Sequence, residues 1–134
     1  MPPATMRMTH EYDPRDSIRE KLPDAVLDNF TLFHNQILVA TYIRPERTAS
    51  GLFLPDSTRS EDRFQGKVGL ALRLGPLAFK DDERVKFYGQ NVDIGDWVVY
   101  RPSDGWAVTI NGVDCRVLAD TDVKMTVASP DVAF

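Results

Sequence analysis

Asp96-Trp97-Val98-Val99-Tyr100, Pro102-Ser103-Asp104-Gly105, Trp106-Ala107-Val108-Thr109-Ile110 and Asn111-Gly112 follow one another almost without interruption, and they decide the fold class. Each apolar run is rich in β-branched and aromatic residues, and each is stopped by turn chemistry. Asn111-Gly112 suits a two-residue type I′ hairpin turn, because both positions tolerate positive φ. Outward from this stretch the same texture continues. Gln36-Ile37-Leu38-Val39-Ala40-Thr41-Tyr42-Ile43 reads as a first strand ended by Arg44-Pro45. Gly66-Lys67-Val68-Gly69-Leu70-Ala71-Leu72-Arg73-Leu74 reads as a second, stopped at Gly75-Pro76. Asp114-Cys115-Arg116-Val117-Leu118 and Val123-Lys124-Met125-Thr126-Val127 complete the set. Short strands with close turns predict an all-β domain, a small antiparallel barrel or sandwich.

The chain before Phe30 is different. It is polar and interrupted by Pro2, Pro3, Pro14 and Pro23. Asp16-Ser17-Ile18-Arg19-Glu20-Lys21-Leu22 suits a helical turn with Ile18 and Leu22 on one face, and Asp24-Ala25-Val26-Leu27-Asp28 suits another. Neither is long enough to be stable alone. The expectation is an N-terminal arm over residues 1–30, either flexible or ordered on a partner.

The connection over residues 45–65 is the second anomaly. Loops beyond about 12–15 residues are uncommon in compact domains and tend to be functional or disordered. This one is polar except for Leu52-Phe53-Leu54, flanked by Gly51 and Pro55. Three bulky apolar residues in a solvated loop either fold back on the domain or stay exposed for a partner.

Composition excludes several classes. Of 134 residues, 43% are hydrophobic and 27% charged, ordinary for a soluble domain. A formal net charge of −4 with interspersed charges argues against nucleic-acid binding, which needs a basic face. Cys115 is the single cysteine, so no intrachain disulfide forms. No run approaches the ~20 apolar residues of a membrane span, and no secretory signal is evident, so a cytoplasmic, membrane-free protein is expected.

Several segments, in order, resemble the GroES-type co-chaperonins, the chaperonin-10 family. Ser50-Gly51-Leu52-Phe53-Leu54-Pro55 leading to Gln65-Gly66-Lys67-Val68 resembles the family's mobile loop and the strand after it. Leu32-Phe33-His34-Asn35-Gln36-Ile37-Leu38-Val39 resembles its opening strand, and Gly75 the glycine closing the second. Ile94-Gly95-Asp96-Trp97-Val98-Val99-Tyr100 resembles its Val-Gly-Asp motif, and Val117-Leu118-Ala119-Asp120-Thr121-Asp122-Val123 its closing segment. The resemblance implies a GroES-like antiparallel β-barrel over residues 31–127, with a mobile loop at 45–65, a roof hairpin at 76–91 and a tail at 128–134. It further implies a heptamer that caps a GroEL-type chaperonin ring to assist protein folding. Gly51, Leu52, Phe53, Leu54 and Pro55 are the expected ring-binding residues. The last strand, with Val123, Met125 and Val127, is expected to pair with a neighbour's first strand at Ile37 and Val39.

Such a loop has simple energetics. Each buried apolar side chain contributes roughly 1.5–3 kcal/mol, and ordering the loop costs on the order of 2–5 kcal/mol. One loop therefore binds weakly, and ring symmetry multiplies the copies through effective concentration. Two departures from the family pattern open an alternative. About 30 residues precede the first strand, and Thr41-Tyr42 stands where a basic residue is usual. The chain also resembles divergent bacteriophage-encoded relatives, so the alternative is a capsid decoration or cement protein gripping a major capsid protein.

No catalytic constellation is present, and no cofactor or metal is expected. His10 and His34 lack metal-ligand spacing with Cys115. Cys115 sits in an alternating strand, where a buried inert thiol is expected. Asp81-Asp82 and Asp120-Thr121-Asp122 are acidic turns without a partnering base. Trp97 and Trp106 are expected to pack in core or interface. The expectation is a docking protein and no enzyme.

Overall fold

The computed structural model describes residues 13–43 and 67–130. Six strands form one antiparallel sheet: β1 (Gln36–Thr41), β2 (Val68–Leu74), β3 (Trp97–Val99), β4 (Trp106–Ile110), β5 (Val113–Ala119) and β6 (Met125–Val127). Their order is β4-β5-β1-β2-β3-β6. The all-β antiparallel expectation holds. The ring of strands that a closed barrel needs is not completed, because among the described residues β4 pairs only with β5 and β6 only with β3. Asn111 and Gly112 have φ of 49° and 79° between the paired Ile110 and Val113, the geometry that the Asn-Gly turn predicts.

β1 is the centre of the sheet. β5 pairs along one edge and β2 along the other, with a bulge between Leu38 and Val39 where Leu72 is the unpaired extra residue of β2. Strand periodicity sends alternate side chains to opposite faces, and here both faces are apolar. Leu38 and Ala40 join a cluster with Tyr42, Leu70 and Trp97, while Ile37 and Val39 join a second with Ala71, Val98, Tyr100 and Leu118. This accounts for the unbroken run Ile37-Leu38-Val39-Ala40 in place of an apolar–polar alternation.

In the N-terminal segment, where the sequence suits two helical turns, the chain forms α1 (Pro14–Lys21) and α2 (Asp24–Leu27), packed on the first of these clusters. Asp13 caps α1 by accepting a 2.8 Å hydrogen bond from the Arg15 amide, and Pro14 fits the first turn, where its missing N–H is no loss. Helices this short are not stable alone. Leu22 and Leu27, 1% and 3% exposed, supply the missing stabilisation through tertiary burial. Ile18 and Val26 pack beside them, on the face that the sequence pattern marks.

Residues 76–91, expected as a roof hairpin, contain no strand. The segment is closed by the Asp82 amide donating to the Val85 carbonyl at 3.0 Å. The Asp82 carboxylate accepts from the Arg84 and Val85 amides, both at 2.7 Å. Those two amides hold the Asp82 carboxyl below its ordinary pKa. Side-chain turn chemistry thus replaces a ladder, with Phe79 and Phe87 edge to face beneath it.

Leu27→Ala removes a fully buried side chain that joins α2 to the sheet, so a destabilisation of about 2–5 kcal/mol is expected in urea unfolding. Loss of under about 0.5 kcal/mol would show that α2 is not integral to the fold.

Candidate functional site

Gly51, Leu52, Phe53, Leu54 and Pro55 lie outside the described residues. Their root is described. The connection leaves after Ile43 and returns at Lys67; two contacts join these ends and a third ties Lys67 to the end of β3. Thr41 pairs with Gly69. The Tyr42 amide donates to the Val68 carbonyl at 2.9 Å, and the Tyr100 amide to the Lys67 carbonyl at 2.9 Å. A long connection therefore springs from a rigid two-strand base.

Tyr42 is 3% exposed and meets Trp97 edge to face, with ring centroids 5.6 Å apart. Arg15 of α1 sits over the same indole at 5.8 Å. The departure at Thr41-Tyr42 thus has a packing reason. Tyr42 is buried in a cluster that includes Leu22 and Leu27 of the N-terminal segment as well as Trp97. Trp97 is core, whereas Trp106 is 80% exposed at the start of edge strand β4. That exposure does not follow from an apolar run, because the number of faces a strand buries is set by its neighbours.

The expected inter-subunit residues fall into two groups. Ile37 and Val39 are fully buried within the chain, and both edges of β1 are already paired. Within the chain, Gln36–Thr41 thus leaves no unpaired ladder at Ile37 and Val39 for the neighbour's strand that the sequence expectation places there. A strand that is central within its own sheet has no free N–H and C=O row to offer. Met125 is 56% exposed on β6, whose second edge carries no strand among the described residues. Val123 and Val127 pack against the two clusters from the margin.

Asp120 is the buried carboxylate among the described residues, 4% exposed. It accepts from the Asn35 side-chain amide at 2.8 Å and the Phe79 amide at 3.0 Å. One side chain thereby joins the entry to β1, the base of the 76–91 segment and the 3₁₀ turn Asp120–Asp122. Its neighbours are donors, not a base or nucleophile, so its role is to satisfy buried polar groups. The exposed His34, φ 55°, belongs to the same junction through its carbonyl, which accepts from the Leu77 amide at 2.9 Å. Among the described residues, no cluster of His, Cys, Asp and Glu is arranged to hold a metal. No helix among them is long and apolar enough to cross a membrane.

Cys115 is buried, and desolvation, with a contribution from Asp114, pushes its thiol up to about 12. A thiol so placed is not a nucleophile at neutral pH. Burial also raises the Tyr100 phenol, against the opposing influence of the Thr41 hydroxyl and the Arg116 guanidinium.

The chaperonin 10 kDa subunit family model matches residues 29–127. The chain belongs to the chaperonin 10 family. Similar proteins include the Co-chaperonin GroES of Dinoroseobacter shibae, 30% identical over 95 residues, covering 70% of this chain and 85% of that protein. The Co-chaperonin GroES of Streptomyces coelicolor is 33% identical over 89 residues, covering 66% and 80%. That of Oleidesulfovibrio alaskensis is 32% identical over 95 residues, covering 71% and 94%. The six-stranded sheet is accordingly a GroES-like all-β fold, in a family of chaperones that are not enzymes. The chaperonin 10 match begins at residue 29, so α1 and α2 precede the shared module.

Cys115 and Tyr100 give this family member an alkaline signature. Both groups stay protonated in the folded state while the unfolded chain ionises from ordinary values of 9.0 and 10.0. Their contribution is complete below pH ~9 and is lost as pH rises through the folded values. Stability should fall above pH ~9, by up to about 1.4 kcal/mol per pH unit for each group. Urea midpoints at pH 8 and 11 measure this, and Cys115→Ala should make the decline shallower. An identical slope in that variant would exclude Cys115 as a contributor.

Proposed function

We propose that this chain is a GroES-like co-chaperonin subunit that docks onto a GroEL-type chaperonin ring and assists protein folding. The carrying observation is the family match over residues 29–127, which spans the polar connection with its Leu52-Phe53-Leu54 island. Gly51 and Pro55 bracket that island and set the backbone on either side. The island is the ring-binding element. Weak burial per copy is multiplied by a symmetric assembly, here a heptamer, through effective concentration. The edge of β6 that carries no strand among the described residues, with the exposed Met125, is the surface on which a neighbouring subunit adds a strand. Because β1 is fully paired, the partner segment on that neighbour lies outside Gln36–Thr41. The setting is the cytoplasm, where such rings work. The relatives are bacterial co-chaperonins, and no observation favours the capsid-decoration alternative.

Nucleotide-dependent binding to a purified bacterial GroEL-type ring is the test, read by co-sedimentation with ADP. The wild-type chain is expected to bind, and Phe53→Asp to abolish binding while leaving circular dichroism and the urea midpoint unchanged. Retained binding in a folded Phe53→Asp chain would overturn the assignment of the island. Native mass spectrometry of the free chain should give seven copies.

A further inference from the structure

Asn111 is one of four asparagines in the chain, and the one that a glycine follows. The pair sits at the centre of the β4–β5 turn with φ of 49° and 79°, and both residues are exposed. The ladder ends at the Ile110–Val113 pair, so the Gly112 nitrogen lies outside it. A Cβ on Gly112 would meet nothing within 4 Å, and the glycine has none of its own to block approach to its nitrogen. An asparagine so placed can react with its own backbone. The Gly112 amide nitrogen gives up its proton to water and bonds to the Asn111 side-chain carbonyl carbon. The bond from that carbon to Nδ2 breaks, and ammonia leaves with a proton from water. Water then opens the cyclic succinimide at either carbonyl, leaving aspartate or isoaspartate. Nothing is oxidised or reduced, and the co-reactant is water.

In the folded chain that side chain is already held. Its amide nitrogen donates to the Lys21 carbonyl at 2.6 Å, across 90 positions of sequence. Lys21 is the last residue of α1, where carbonyls have lost their intrahelical partners. Leu22, the next residue, is 1% exposed in a cluster that includes Ile110, with Ile18 and Val113 packed against it. The turn is thus gripped through the residues on either side of it, and its asparagine is tied to a helix end. A side chain tied at Nδ2 is kept from swinging its carbonyl carbon toward the Gly112 nitrogen, and the tied atom is the one that must leave. We propose that Asn111-Gly112 is a deamidation site guarded by α1: lifting of the helix end permits ring closure, and the acid formed keeps that end from settling back. The product turns a donor into a carboxylate facing the Lys21 carbonyl, an acceptor against an acceptor. The negative end of α1 adds to the repulsion. The step runs one way, so the site records how often α1 has opened.

The test uses the full chain in mildly alkaline buffer, with conversion at residue 111 read by peptide mass spectrometry. Native wild type should convert about tenfold or more slowly than the same chain unfolded in urea. Equal rates would show that the fold guards nothing and overturn the proposal. Leu22→Ala loosens α1, as does Ile18→Ala at its half-buried position, whereas Val92→Ala loosens the second cluster. Compared at urea concentrations giving each chain the same unfolding free energy, the α1 variants should convert about three- to tenfold faster than Val92→Ala. The same rate in all three would place the reaction in global unfolding and overturn the guard. Asn111→Asp supplies the product directly. Amide exchange at Ser17 and Leu22, whose nitrogens donate to the Asp13 and Ile18 carbonyls, should quicken in that variant and stay unchanged across β1 and β2. Exchange there no faster than in wild type would show that the product leaves α1 in place and overturn the one-way step.

Discussion

Everything in this domain is built outward from a strand that has no free side. β1 is paired on both edges and buried on both faces. Its backbone groups are satisfied by β2 and β5, and its side chains divide between two apolar clusters. A strand in that position cannot shift register without moving Ile37 and Val39 into the cluster of Leu38 and Ala40, and the reverse. The bulge at Leu38 and Val39 fixes the register further by admitting one extra residue in β2. Because β1 and β2 are locked together, the ends of their connection are locked too.

Covering the second face of β1 has consequences for composition. A sheet with one solvated face alternates apolar and polar residues, and its core is correspondingly thin. Here Leu22 and Leu27 join the cluster on that face, which also holds Ala40 and Tyr42. The helices supply little by themselves, being too short to persist in water. Sheet and helices are therefore mutually dependent. Leu22 and Leu27 need the sheet to order them, and Tyr42 and Trp97 need the helices to stay dry.

The strands were legible in the sequence because their signals are local. Trp106–Ile110 and the Asn111-Gly112 turn follow from β-propensity and positive-φ tolerance, and neither depends on distant contacts. The family resemblance was legible for a similar reason, as ordered short motifs. What was not legible depends on tertiary placement. Ile18, Leu22, Val26 and Leu27 mark an amphipathic face, but periodicity does not say whether a short helix finds a surface. Ile37 and Val39 read equally well as edge or centre, since an apolar run carries no information about which strand lies beside it. Trp97 and Trp106 belong to similar β runs, yet one is buried and the other exposed, because β3 is flanked on both edges while β4 closes the sheet. In the 76–91 segment the carboxylates of Asp81 and Asp82 accept from the amides of Arg84, Val85 and Phe87, side-chain bonds that turn composition alone does not specify.

The distribution of rigidity bears on how such a subunit releases its partner. A docking element built into the sheet would be ordered in advance and would bind with little entropic cost, hence too tightly for turnover. An element wholly without support would pay for ordering its own root as well as itself. Placing the apolar island far along a connection whose two ends are clamped by Tyr42, Val68 and Tyr100 lies between these limits. The proposed contact then contributes a modest free energy per copy. In the proposed symmetric assembly, affinity would come from the number of copies engaged and not from a stronger single contact, so any event that lowers that number would lower it steeply.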